Sequence, residues 1–330
     1  MTGPGQAVFS HSRIGDKEMT MRVFVAGGTG VVGRPLVDAL VARGHQVSAS
    51  ARRSANLPIV AALGARPVLM DGLDQAAVHR AITETEPELI VNLMTALSSP
   101  AADYGAWLEV TNRLRIEGTK ILMSAASEAG TRRVVAQSAS FMTAPGQDLT
   151  DESSPLYLDA PGPIGIHIRA NVVAEELVLG TTGIDGVVLR YGFLYGAGTS
   201  IGPGGDIAVA IGAGELPIVG DGAGRYPLIH VDDAVAATLR SAEQGDPGVY
   251  NIMDDEPAAQ AEWLPYLAGI LDAPLPRRIS ATEAAETLGV QAVYYGDQLP
   301  AATNGKAKAA LGWTLTTPSW RDGFRTVFGG

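Results

Sequence analysis

The stretch Gly27-Gly28-Thr29-Gly30-Val31-Val32-Gly33 constrains this chain more than any other. It follows Arg22–Ala26 (RVFVA), a short apolar run of the kind buried inside a parallel sheet. It opens a helical pattern with Val32, Leu36 and Leu40 on one face. A strand that turns into a helix within so few residues needs glycine for three reasons. Gly27 permits the tight turn, Gly30 lets the backbone approach a ligand, and Gly33 lets the helix sit close to the strand. The helix amino terminus then offers unpaired N–H groups and the positive end of its dipole to a pyrophosphate. Gly27, Thr29, Gly30, Val31, Val32 and Gly33 are therefore the first candidate cofactor residues.

The pattern continues as alternating strands and helices. The first helix stops at Arg43-Gly44. Strands are predicted at Gln46–Ala51, Pro67–Met70, Leu89–Leu93, Arg133–Gln137 and Gly186–Tyr191. Helices are predicted around Ala76–Thr83, over Trp107–Ala129 and over Ile168–Leu179. Such alternation implies parallel strands with right-handed crossovers: an α/β, Rossmann-type doubly wound sheet. Thr143–Ile166 reads as a loop, and Gly196–Gly224 holds ten glycines. The predicted organisation is a disordered extension over 1–21, a dinucleotide-binding domain over 22–195, and a smaller C-terminal substrate-binding lobe over 196–330. Some segments of that lobe return to the sheet.

Composition removes several classes of function. A net charge of −11, with scattered Lys and Arg, excludes a basic nucleic-acid surface. The absence of cysteine excludes disulfides, thiolate nucleophiles and Cys-based metal sites, and no metal site is predicted. No apolar run is long enough for a membrane span, and residues 1–21 lack the apolar core of a secretory signal. A cytoplasmic protein acting on a small molecule is the resulting expectation.

The end of the second strand bears on the cofactor. Ser48–Ser54 holds no carboxylate for the two hydroxyls of an adenosine ribose, but it holds Arg52 and Arg53. A guanidinium clamps a 2′-phosphate, so NADP (as NADPH) is expected. Asp71 has two readings, a partner for the adenine amine or a turn and helix-capping residue. Leu93, Met94 and Thr95 are placed on the path to the nicotinamide.

Further motifs occur in order: Asp71-Gly72-Leu73, Glu117-Gly118-Thr119, Ala136–Ser140, Leu189–Gly196 (LRYGFLYG), His230-Val231-Asp232-Asp233 and Lys306–Trp313 (KAKAALGW). Together with the glycine turn they resemble the NAD-dependent epimerase/dehydratase family, the extended short-chain dehydrogenases, from about Arg22 to Phe324. The resemblance implies that Ser138 polarises a substrate carbonyl and that Asp71, with Gly72 beside it, lies at the adenine. It implies that the segment from Tyr191 past Phe193 and Leu194 runs along the nicotinamide. The His230 segment is implied to be structural, its aspartates capping the next helix. Family habit also implies a homodimer through paired long helices.

One departure governs the chemistry. The family carries Tyr-x-x-x-Lys on the helix after Ser138, and here His167 and Asn171 occupy those positions; a register slipped by one gives Ile168 and Val172. Asn171 retains a hydrogen bond to ribose but no charge. The chain thus resembles an atypical branch that includes ketoreductases of angucyclinone-type aromatic polyketides, which implies antibiotic biosynthesis. Reduction of a ketone needs a proton for the developing alkoxide. Three sources are open: His167, a hydroxyl on the substrate beside the ketone, or water. Tyr191 and Tyr195 are reserve hydroxyl donors. Two other classes stay open: a sugar-nucleotide epimerase or dehydratase, and a non-catalytic NADP-sensing protein.

Overall fold

The computed structural model describes residues 20–97, 104–146 and 149–329. Of the expected N-terminal extension, residues 1–19 lie outside the described residues. Strand β1 (Arg22–Ala26) leads into helix α1 (Gly33–Ala42), β2 (Gln46–Ala51), α2 (Leu57–Ala62), β3 (Arg66–Leu69), α3 (Gln75–Thr85) and β4 (Leu89–Asn92). Helices α4 (Tyr104–Arg113) and α5 (Thr119–Glu128) come next, then β5 (Arg133–Ala139) and α6 (Gly162–Gly180). Strands Asp185–Tyr191 and Gly248–Ile252 complete a seven-stranded parallel sheet. From one edge its order is Gly248–Ile252, Asp185–Tyr191, β5, β4, β1, β2, β3. Strand order therefore reverses between β1 and β4, and a ligand is expected in the crevice outside their carboxyl ends.

Alternate side chains of each strand enter opposite layers. Val23 and Val25 pack with α1, the helix Val231–Glu243 and Trp313. Phe24 and Ala26 pack with α3 and α5. A third cluster, built on Tyr195, Trp263, Trp320 and Phe324, forms the core of the C-terminal lobe. The segments that return to the sheet are the helix Val231–Glu243, the strand after it, and the stretch ending in Trp313, whose indole N–H donates to the Asp233 carbonyl at 3.1 Å.

Three local differences from the sequence reading matter for the site. Helix α6 begins six residues earlier than predicted, because Pro161-Gly162-Pro163 is a helix start and not loop punctuation. Proline in the first turn forfeits no hydrogen bond. His167 is thereby brought inside the helix. The long helix predicted over Trp107–Ala129 is broken by a π turn at Leu114–Gly118, which carries Arg115. The aspartates after His230 do not cap their helix. The His230 imidazole does, accepting from the Asp232 N–H at 3.2 Å. Asp233 is fully buried and accepts from Thr316 N–H (2.8 Å), Thr316 O–H (2.7 Å) and Thr317 N–H (2.9 Å), tying the C-terminal segment to the sheet. Among the described residues no helix is long and apolar enough to cross a membrane.

Candidate active site

The glycine turn is built as its spacing requires. Gly27 has φ +88°, and a Cβ there would lie 2.8 Å from the Leu93 carbonyl oxygen. A Cβ on Gly33 would lie 2.2 Å from the Gly27 oxygen, so only glycine lets α1 start this close to β1. Ser50, which the sequence reading did not single out, pins the turn. Its hydroxyl accepts from Gly27 N–H at 2.9 Å and its carbonyl from Gly28 N–H at 3.1 Å. Gly30 is exposed, and no side chain caps the amino end of α1. An uncapped helix end behind an open glycine is a fitting cradle for a pyrophosphate.

Arginines stand at both the turn and the end of β2. Arg52 and Arg53 are exposed just past β2. Arg34, which sequence reasoning missed, stands at the rim of the turn with its Nε–H donating to the Thr29 carbonyl at 2.9 Å. The signal for it was its place next to Gly33. Asp71 is exposed, and one of its oxygens accepts from Leu73 N–H at 3.0 Å. The N-cap of α3 is Asp74, so Asp71 serves the turn before the helix and does not cap it. Gly72 abuts Met94, whose sulfur would lie 2.5 Å from a Cβ there. Leu93 is buried, while Met94 and Thr95 are half-buried beyond the end of β4. These residues fit a nicotinamide dinucleotide.

Beyond them, β5 and α6 share a buried polar network. Ser138 Oγ donates to Glu175 Oε1 at 2.6 Å and lies 3.4 Å from Asn171 Oδ1. Glu175 is paired with Arg190 through two contacts, Nε–Oε1 at 2.9 Å and Nη2–Oε2 at 2.6 Å, both side chains being buried. Asn171 Nδ2 donates to the His167 carbonyl at 2.9 Å. His167, Asn171 and Glu175, four residues apart, lie on one face of α6, and His167 stands nearest the carboxyl edge of the sheet. Arg115 Nη1 reaches His167 Nδ1 at 3.1 Å.

The sequence pattern of the NAD dependent epimerase/dehydratase family matches residues 23–252. The chain belongs to this family. Within it, a 3-diazoavenalumate denitrifying reductase from a Streptomyces species is 45% identical over 305 residues, covering 92% of this chain and 99% of that protein. A 4-hydroxy-2-methyl-3-oxo-4-farnesyl-3,4-dihydroquinoline-1-oxide ketoreductase from Stigmatella aurantiaca is 30% identical over 75% of this chain and 72% of its own length. In fold, the chain is similar to the solved UDP-glucose 4-epimerase of Thermotoga maritima. The TM-score is 0.75 at 21% identity, covering 94% of this chain and 98% of that one. A human epimerase family protein solved with NADPH gives a TM-score of 0.74 at 20% identity, covering 94% and 100%. The chain is thus an NAD(P)-dependent oxidoreductase, a reductase of a small molecule.

Set in this family, several of the expected roles need correction. His167 was expected as a proton donor, but burial and then the charge of Arg115 push its imidazole down to about 3. It is neutral at physiological pH and is not an imidazolium acid. Asn171 is 1% exposed and its amide is engaged inside α6, so it does not reach a ribose. Tyr191 points its hydroxyl away from the crevice to Thr238 at 2.6 Å. Thr238 in turn donates to the Ala234 carbonyl, so Tyr191 is neither donor nor cofactor contact. Burial raises its pKa well above the ordinary phenol value. Tyr195 is fully buried in the C-terminal lobe, where its hydroxyl abuts Gly323. Ser138 is half-buried and present at the site, but its proton is held by Glu175. Phe193 and Leu194 are half-buried on the short strand Phe193–Tyr195. Sequence reasoning missed Glu175, Arg190 and Arg115. Glu175, eight residues after His167 on the same face, was the legible one.

Aromatic rings gather beside His167. Phe141 and Phe193 stack with centroids 4.1 Å apart, Tyr226 packs on Phe193 at 4.8 Å, and Tyr295 meets both phenylalanines edge-on at 5.8 and 5.7 Å. The His167 ring lies parallel to Phe141 within 7°. This wall joins the end of β5 to the C-terminal lobe.

Proposed function

We propose that the protein is an NADPH-dependent ketoreductase. In this reading it delivers hydride to a carbonyl of an aromatic, angucyclinone-type polyketide, in the cytoplasm and as part of antibiotic biosynthesis. Reduced nicotinamide bound past Leu93 would supply the hydride. The two guanidiniums of Arg52 and Arg53, exposed just past β2, favour the extra phosphate of NADPH over NADH. The wall of Phe141, Phe193, Tyr226 and Tyr295 favours a flat ring system, which aromatic faces bind by stacking.

The observation that carries the mechanism is the state of the protein's own hydroxyl and imidazole groups. Ser138 donates its hydrogen bond to Glu175, His167 is neutral, and Tyr191 and Tyr195 face elsewhere. A proton for the alkoxide then comes from a hydroxyl on the substrate itself, already hydrogen-bonded to the ketone. The same arrangement weighs against epimerase and dehydratase chemistry, which needs a base that takes and returns protons.

A second reading is favoured by the relative at 45% identity, whose name describes a denitrifying reductase acting on a diazo compound. Hydride addition to an aryl diazonium with loss of N2 (Ar–N2⁺ + H⁻ → Ar–H + N2) consumes no proton and suits the same site. The deciding assay follows NADPH absorbance with an aromatic ketone flanked by a hydroxyl, with its O-methyl ether, and with an ortho-hydroxyaryl diazonium. The ketoreductase reading expects oxidation with the first alone. Turnover of the diazonium with N2 release supports the second reading. Tight NADPH binding with no reduction of any acceptor overturns both in favour of a sensor.

A further inference from the structure

We infer that Arg115 and His167 act as a unit that presents a neutral imidazole N–H to the substrate oxygen, with Arg115 as the positioning residue. The inference rests on the reductase reading above for what is bound, but on geometry alone for the state of the imidazole. A guanidinium only donates hydrogen bonds. Its Nη1 lies 3.1 Å from His167 Nδ1, so Nδ1 is the acceptor and the ring proton resides on Nε2. Arg115 is steered onto His167 by two features. The π turn at Leu114–Gly118 swings it off the regular course of the helix, and the Asn112 side-chain oxygen accepts from the same nitrogen at 3.3 Å. Such π turns recur at functional sites because they re-aim one side chain.

Nε2 is placed to be used. Among the described residues no partner accepts from it, and His167 keeps 7% exposure at the carboxyl edge of the sheet. The ring is held parallel to Phe141, the first member of the aromatic wall. A flat acceptor lying on that wall brings its oxygen to the imidazole edge. Nε2–H then donates a hydrogen bond that strengthens as negative charge develops there, and the fixed positive charge of Arg115 behind the ring reinforces it. No proton is transferred from His167, which would become an imidazolate. The hydrogen bond polarises the oxygen, and the substrate hydroxyl protonates it. This gives the site an oxyanion donor in place of Ser138.

The test uses the full chain and two independent readouts. The first is the ¹⁵N spectrum of the His167 ring from pH 5.5 to 8. A neutral Nε2–H tautomer throughout is expected in the wild type, and Arg115→Met should release the still-neutral ring to a mixture of Nδ1–H and Nε2–H tautomers. A protonated ring or an Nδ1–H tautomer in the wild type overturns the inference. The second is steady-state kinetics with the acceptor that the wild type turns over. His167→Phe keeps the stacking and should lose about 10- to 100-fold in kcat with KM for NADPH unchanged. His167→Gln, whose amide N–H stands near the position of Nε2–H, should recover part of that loss. Equal kcat in wild type and His167→Phe overturns the catalytic part. If the wild type oxidises NADPH with no acceptor, the reductase reading fails, while the spectrum still decides the tautomer.

Discussion

Asp254→Asn is the perturbation whose size follows most directly from the structure. Asp254 closes the strand Gly248–Ile252 and is 3% exposed beneath the C-terminal lobe. One carboxyl oxygen accepts from Glu256 N–H at 3.2 Å, and burial and Asp255 raise the carboxyl pKa by more than the Trp320 backbone N–H lowers it. Burial, and after it the charge of Asp255, push the carboxyl from 3.8 up to about 9. The folded state therefore holds a proton that the unfolded state has released everywhere between those two values. In that window unfolding sheds a proton, so stability is fully present below about pH 4 and falls as pH rises toward 9. The slope is about 1.4 kcal/mol per pH unit, or about 4 kcal/mol between pH 5 and pH 8. Asparagine fills the same space without titrating. The stability of Asp254→Asn relative to wild type should thus grow by about 4 kcal/mol over that range, whatever the offset at pH 5. Urea unfolding at pH 5, 6.5 and 8, followed by fluorescence of the buried Trp263 and Trp320, measures it. Two curves that stay parallel with pH would refute the claim that Asp254 is buried as the neutral acid.

Other expectations can be checked on single variants. Arg52→Ala combined with Arg53→Ala should raise KM for NADPH by about 10- to 100-fold and leave NADH unaffected, since the loss is of charge-assisted bonds to one phosphate; an equal loss for both cofactors would place the arginines elsewhere. Asp233→Ala removes the acceptor of three hydrogen bonds to Thr316 and Thr317 and should cost about 3 kcal/mol in denaturant unfolding. Glu175→Ala strands the buried Arg190 guanidinium and should cost about 3–5 kcal/mol, whereas an unchanged midpoint would show that water reaches the pair. Gly33→Ala forces a methyl to 2.2 Å from the Gly27 oxygen and should abolish cofactor binding as judged by calorimetry.

Much of this molecule was legible because strand and helix periods differ. Arg22–Ala26 and Gln46–Ala51 were placed to the residue, since each is bounded by glycine or by a charge and faces two apolar layers. Gly27, Gly30 and Gly33 carried their roles in their spacing. What the sequence hid was direction. Tyr191 stands two residues from Phe193, but one turns to Thr238 and the other to the aromatic wall. No periodicity reports which layer a strand end meets once it leaves the sheet. The proline-rich entry to α6 hid the helix start, because Pro and Gly signal a loop and a first turn alike. The π turn that aims Arg115 has no sequence signature, so the partner that sets the state of His167 emerged only from the packing of that turn against α6.

Hydride delivery in a site whose own groups supply no proton is best tested with NADPH carrying deuterium at the transferable position. The product formed from the hydroxyl-flanked aromatic ketone is then analysed by mass spectrometry and NMR. The account predicts deuterium on the carbinol carbon and a rate that collapses when the neighbouring hydroxyl is methylated. Deuterium absent from that carbon, or an undiminished rate with the methyl ether, would contradict it.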